Sequence, residues 1–270
     1  MPTTSSSSAA AVVVGAAVLV VALSGCASPA APRGEGDLAT PAKRDIAMQL
    51  VSSAENSTLD WRAQYGYLED IGDGRGYTGG LIGFTSGTAD MLLLVQNYTT
   101  AEPDNPLAPF LPALHAVDGS ASHAGLGESF ERAWGAAAGD PVFRRAQDAL
   151  LDSMYFDPAV SRAKKDGLGA LGQFIYYDAI VMHGPGSDGS SFGGIRSAAL
   201  AKAKTPAEGG DDTRYLNAFL DVRVRVVREE AAHDDVSRVS TEQRVFVREG
   251  NLDLHTPLRW KVYGDPYRIG

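Results

Sequence analysis

Apolar residues recur with a helical period along most of the chain beyond residue 40. Ile46, Leu50, Val51 and Ala54 fall at i, i+4, i+5 and i+8 behind Pro41, which predicts a helix ending near Glu55. Asn56, Ser57 and Thr58 offer a stop and a fresh N-cap for a second helix over Leu59 to Leu68. The period then breaks. Gly72 to Gly83 holds six glycines with Tyr77 and Ile82 set among them, which predicts a small, tightly turned hairpin or sheet. Ser86 or Thr88 is expected to cap the next helix, whose face is Met91, Leu92, Val95 and Tyr98. Further helical patterns cover 108–117, 129–138, 141–155, 158–165, 168–182, 195–204, 213–231 and 241–248. The stretch 168–182 is apolar nearly all round and therefore predicts a central buried helix. Leu258 to Ile269 reads as extended, and no internal repeat is visible. Many helices with one small sheet near the front make a mainly α, α+β class.

The first 32 residues carry no charged side chain, and Ala9 to Leu23 is an apolar run of signal-segment length. It is shorter than the roughly 20 residues a spanning helix needs. The run ends in Leu23-Ser24-Gly25-Cys26, the pattern of a bacterial lipobox, so Cys26 is the expected lipidation site. Cys26 is the only cysteine, which excludes an intramolecular disulfide. Residues 1–25 are thus expected to be a lipoprotein-type signal peptide, 26–40 a Pro/Ala/Gly tether, and 41–270 the folded domain. A formal charge of −9 disfavours nucleic acid and anionic lipid and suits a polycation.

Two carboxylates stand out against this background. Glu55 closes the first helix among short polar residues, and Asp73 follows 18 positions later between Gly72 and Gly74. Inverting glycoside hydrolysis requires such a pair, roughly 6.5–9.5 Å apart, one protonating the leaving oxygen and one activating water. Glu55 is the better acid, since partial burial at a helix end would help it hold a proton. Asp73 is the better base, because its glycine neighbours let the backbone bring a short side chain to a cleft edge. Thr78 is placed to hold the attacking water. Taken alone, Gly72-Asp73-Gly74 reads as a simple turn.

The segments Ile46–Ser57, Glu69–Gly80, Gly87–Asp90, Ala170–Phe174, Tyr176–Pro185, Ser191–Arg196, Glu230–Asp235, Thr241–Phe246 and Asn251–Leu254 run in order through the domain. Over about Lys43 to Tyr267 the chain resembles the bacterial endo-chitosanases of glycoside hydrolase family 46. The resemblance implies a lysozyme-like, two-lobed fold and endo-hydrolysis of β-1,4-linked glucosamine with inversion. It implies Glu55 as general acid, Asp73 as general base and Thr78 as a water-placing residue. A supporting network of Trp61, Asp178, Arg223 and Arg238 follows from it, as does Asp90 for amine recognition. Asn56, Tyr67, Arg75, His183 and Asp234 are further candidates for substrate contact. Arg75 fits equally well a structural pair with an acidic neighbour, and His183 a packed or capping role. Thr85 stands where several relatives carry cysteine, and Gly66 where a longer polar side chain is common.

No metal or cofactor constellation is expected: the histidines form no HExxH pair, and Gly72 to Gly76 lacks the features of a phosphate loop. The implied partner is chitosan, with no nucleic acid and with membrane contact only through Cys26. A monomer outside the cell, secreted or anchored, is expected. The rival readings are a muramidase or chitinase on the same fold, a surface protein that grips chitosan without cutting it, and a solute-binding lipoprotein.

Overall fold

The computed structural model describes residues 36–229 and 235–270; the signal and lipid-anchor assignments, with Cys26, and the candidate Asp234 lie outside them. Helix α1 (Pro41–Glu55) starts on a proline, where the missing N–H costs nothing, and buries Ile46, Ala47, Leu50, Val51 and Ala54. The domain begins earlier than position 41. Leu38 is fully buried, and its N–H donates to Gln173 Oε1 at 2.9 Å. Asp37 pairs with Lys164 at 2.8 Å. Residues 36–40, expected in the tether, are packed against the fold because one apolar side chain finds a site in the core.

Helix α7 (Ala170–His183) is the central buried element, with Leu171, Phe174, Ile175, Tyr177 and Ala179 wholly inaccessible. It packs against α6 (Asp157–Lys165), α8 (Phe192–Leu200) and α1. Together with α9 (Asp212–Glu229) these helices build the larger of two apolar cores. The smaller core gathers Tyr77, Phe84 and the inner faces of α2 (Asp90–Ala101), α3 (Leu111–Val117), α4 (Glu128–Ala137) and α5 (Pro141–Leu151). The helices expected over 141–155 and 158–165 form one rod, joined through a π turn at Asp152–Phe156. Pro158 follows directly on that turn, so the N–H it lacks falls where the ladder has already changed register. This rod links the cores: Leu150 belongs to the smaller, Leu151 and Phe156 to the larger.

Between them lies the small sheet, order β1 (Leu68–Glu69), β2 (Thr78–Gly79), β3 (Phe84–Thr85), all antiparallel. A Cβ on Gly79 would meet Leu68 Cδ1 at 2.8 Å and Trp134 Cζ2 at 2.9 Å, so only glycine lets β2 lie this close to α4. The helix expected over Leu59–Leu68 is a 3₁₀ segment, Trp61–Gly66, capped by Asp60, because Leu68 and Glu69 pair with β2 instead. Neither Ser86 nor Thr88 caps α2. Asp90 Oδ1 takes the Thr85 and Met91 N–H groups and the Thr88 hydroxyl, while Ser86 Oγ accepts from Tyr77 N.

The chain closes on a π-helical segment, Arg238–Gln243, then α10 (Arg244–Arg248) and a hairpin of β4 (Leu258–Val262) with β5 (Asp265–Ile269). Trp260 turns inward, stacks on Tyr267 and donates from Nε1 to Ser53 Oγ at 3.0 Å, fastening the hairpin to α1. Arg259 and Arg268 face each other on the exposed side, beside Lys261. Charges of this kind keep an edge hairpin from pairing with another chain. Among the described residues no helix is long and apolar enough to cross a membrane.

Candidate active site

Glu55 is the last residue of α1, with its side chain 39% exposed. Arg238 Nη1 donates to its Oε1 in a close ion pair. Its Oε2 has no hydrogen bond among the described residues and is open to a ligand. Arg238 is itself held from behind. Its Nε donates to Asp178 Oδ1 at 2.8 Å, and the other oxygen of Asp178 receives Arg223 Nη1 at 2.9 Å and Gln243 Nε2 at 2.6 Å. Gln243 Oε1 accepts from Arg223 Nη1 in return, at 2.9 Å. Asp178 and Arg223 are wholly buried. Burial alone would raise the Asp178 carboxyl, but the two guanidiniums outweigh it and hold the carboxyl below its ordinary range.

The network thus gathers Glu55, Asp178, Arg223 and Arg238 as expected, and adds Gln243. It leaves out Trp61, whose indole N–H donates to Asp45 Oδ1 at 3.1 Å, with the Arg62 guanidinium over its ring. Trp61 therefore pins the segment after α1 to that helix's beginning. His183, at the C-terminal end of α7, lies against Arg223, whose Nε points at its Nε2 from 3.4 Å. Glu242 stands beside the same charges, wholly buried and with neither carboxyl oxygen hydrogen-bonded. Burial first, then Asp178, pushes its carboxyl well above the ordinary value, against the pull of Arg238 and Arg223.

Asp73 sits on the loop between β1 and β2, and the backbone there needs positive φ on both sides, 73° at Gly72 and 83° at Gly74. Arg75 clamps it: Nε donates to Oδ2 at 2.8 Å, Nη2 at 2.5 Å, and the Arg75 N–H reaches Oδ1 at 3.0 Å. The Arg75 hydrogen bonds hold the Asp73 carboxyl below its usual range despite some burial. The loop is moored to the smaller core. Asp70 meets His123 at 3.0 Å, His123 stacks on Tyr77 at 4.2 Å, and the Tyr77 hydroxyl donates to Glu131 at 2.6 Å. Thr78 follows on β2, and its buried Oγ1 has no hydrogen-bond partner, an orphaned group of the kind a bound water satisfies.

Asp90 opens α2, and its three hydrogen bonds all fall on Oδ1. That fixes the carboxyl plane and leaves Oδ2 for a cation. Burial raises its carboxyl in spite of those bonds. Tyr155, which no sequence pattern singles out, is half-buried on the π turn; burial first, then Asp90, raises its hydroxyl against the pull of Arg75. Tyr67 donates to Glu69 at 3.2 Å, beside the Asp73 loop, and Asn56 caps α1 next to Glu55.

The family model described as "Glycosyl hydrolase family 46" matches residues 49–258. A chitosanase of a Streptomyces species is 67% identical over 243 residues, covering 90% of this chain and 87% of that protein. A chitosanase of a Nocardioides species is 59% identical over 255 residues, covering 92% and 91%. A solved chitosanase complex superposes with a TM-score of 0.84 at 61% identity, over 87% of this chain and all of the other. A family 46 chitosanase of Gynuella sunshinyii, solved with chitotetraose, gives 0.77 at 38% identity, over 86% and 98%.

Proposed function

The chain belongs to glycosyl hydrolase family 46, and from that premise we propose that Glu55 is the general acid and Asp73 the general base of its reaction. The protein is a glycoside hydrolase of lysozyme-like, two-lobed fold that cuts β-1,4 linkages within chitosan, with inversion. The observation that carries the assignment of roles is the contrast between the two carboxylates. Glu55 offers one unbonded oxygen from the larger core, and Asp73 is kept ionised by Arg75 on a loop moored to the smaller.

Glu55, protonated on Oε2, gives its proton to the glycosidic oxygen as the bond to the anomeric carbon breaks. Asp73 takes a proton from a water that Thr78 Oγ1 steadies, and the water oxygen bonds to the anomeric carbon from the opposite face. Glu55 ends ionised and Asp73 protonated, and one proton returns through solvent to reset the pair. Arg238 holds Oε1 throughout, so that Oε2 alone meets the substrate.

Two outcomes test the parts. Arg75→Ala removes the group that keeps Asp73 ionised, so the acid limb of kcat/KM is expected to move to higher pH, the direction opposite to the native shift. An unmoved acid limb in the pH–rate profile would refute the clamp. Asp90→Asn removes the charge that meets a substrate ammonium, and KM for a glucosamine hexamer is expected to rise roughly tenfold or more, with the melting temperature retained. Equal KM in the two proteins would remove Asp90 from substrate binding.

The acidic surface and Asp90 favour free amines over the N-acetyl groups a chitinase-like reading needs. Both candidate carboxylates are present, which speaks against a binding protein without catalysis. Export and a lipid on Cys26 are proposed from the apolar leader and its Leu23–Cys26 box, and a monomer from the single folded domain. Mass spectrometry of the protein from its native membrane fraction tests the lipid. An acylated N-terminal cysteine is expected, and an unmodified one would contradict it.

A further inference from the structure

The β4–β5 hairpin turns at Tyr263 and Gly264, both with positive φ, 54° and 89°. Two such residues make the tight, twisted turn that favours Asn-Gly or Asp-Gly, because short polar side chains and glycine tolerate the left-handed region. A tyrosine at the first of these positions works against the local backbone preference. It gains little from burial, since Tyr263 is 54% exposed, the most exposed large apolar side chain among the described residues. Ile71, two residues before Asp73, is exposed by a similar 51%.

The surroundings of Tyr263 say what the position serves. Its backbone N–H donates to Ser237 Oγ at 2.8 Å, one residue before the arginine that holds Glu55. Thr241 Oγ1 donates to Lys261 O at 2.6 Å, tying β4 to the same π-helical segment. The Trp260 indole bonds Ser53, two residues before Glu55. The hairpin is therefore tied to the two segments that carry the acid and its arginine. The Tyr263 hydroxyl lies within electrostatic reach of Arg238, Glu55, Asp235 and Asp178, and a phenol is neutral and able to donate at ordinary pH.

From the turn geometry, the exposure and these tethers, we propose that Tyr263 is a substrate-contacting residue. It presents its ring as a platform for the glucosamine unit bound beside Glu55. Sugar rings carry an apolar C–H face that stacks on an aromatic ring, while the hydroxyl rim takes hydrogen bonds. The inference rests on the reading of Glu55 as the acid of a chitosan hydrolase.

The test compares wild-type protein with Tyr263→Asn and Tyr263→Phe, measuring melting temperature, kcat and KM on a glucosamine hexamer. Asparagine suits the turn, so Tyr263→Asn is expected to melt at an unchanged or higher temperature. It should nonetheless lose roughly fivefold to tenfold in kcat/KM, chiefly through KM. Tyr263→Phe keeps the ring and should stay within about twofold in KM. Wild-type KM in Tyr263→Asn would overturn the inference alone, and so would a lowered melting temperature accompanying the loss, which marks a merely structural residue. Failure of the wild-type protein to cleave the hexamer would overturn the proposed function, and this inference with it.

Discussion

Glu55→Gln is expected to lower kcat on chitosan by roughly 10²–10⁴-fold, while the melting temperature and the affinity for a glucosamine hexamer stay near wild-type values. The glutamine amide keeps the shape of the carboxyl, and its oxygen can still accept from Arg238, so the buried network behind it has no reason to move. It cannot deliver a proton to the leaving oxygen. The residual rate would come from binding and from Asp73 with its water. Turnover within a few-fold of wild type would end the assignment of Glu55 as acid. A large loss of melting temperature would instead mean that the residue holds the fold and not the reaction.

Asp178→Asn carries the largest expected effect on stability. Each oxygen of Asp178 receives a guanidinium, and neither it nor Arg223 touches solvent. Removing one partner of a buried pair leaves uncompensated charge, at a cost of about 3–5 kcal/mol. For a domain of this size that corresponds to a drop of roughly 6–20 °C in melting temperature. The folded-state carboxyl lies below its ordinary range, so its contribution is complete above the unfolded value near ~3.9. It is lost as pH falls through the folded value. Wild type and variant should therefore differ most near neutrality and converge in acid. Superimposable melting curves at pH 7 would show that the network orients Glu55 without stabilising the domain. Activity should fall as well, because Arg238 loses the anchor that aims it.

What could be read from the chain follows a physical divide. α1, α7 and the glycine hairpin were legible because each is a local pattern: a helical stripe, an apolar run, a cluster of positive-φ residues. Asp178 was legible only through the family resemblance, and the structure shows how an apolar helix tolerates its charge: two guanidiniums meet it. Its helper Gln243 was not legible, since a neutral amide on the same stripe as Val239, Phe246 and Val247 carries no charge that demands a partner.

Other misses come from tertiary contacts. Leu38 looked like part of a linker because one leucine among Gly, Asp, Ala and Thr carries no period, yet it fills a slot in the core beside Gln173. Trp61 was joined to the acid's network by resemblance, and the structure gives its indole to Asp45. Tyr263 lies in a segment that reads only as extended, and its place at a turn tied to the Arg238 segment emerges only when the hairpin packs on α1. On sequence grounds Arg75 fits substrate and structure equally, and the geometry puts it on Asp73.

The most direct measurement of the central claim is time-resolved proton NMR of the first products released from a glucosamine hexamer by the purified protein. With Glu55 and Asp73 acting on opposite faces of the scissile bond, the new reducing ends must appear first as the α-anomer and mutarotate later. Initial β-anomer, the signature of a covalent intermediate and two displacements, would contradict the account.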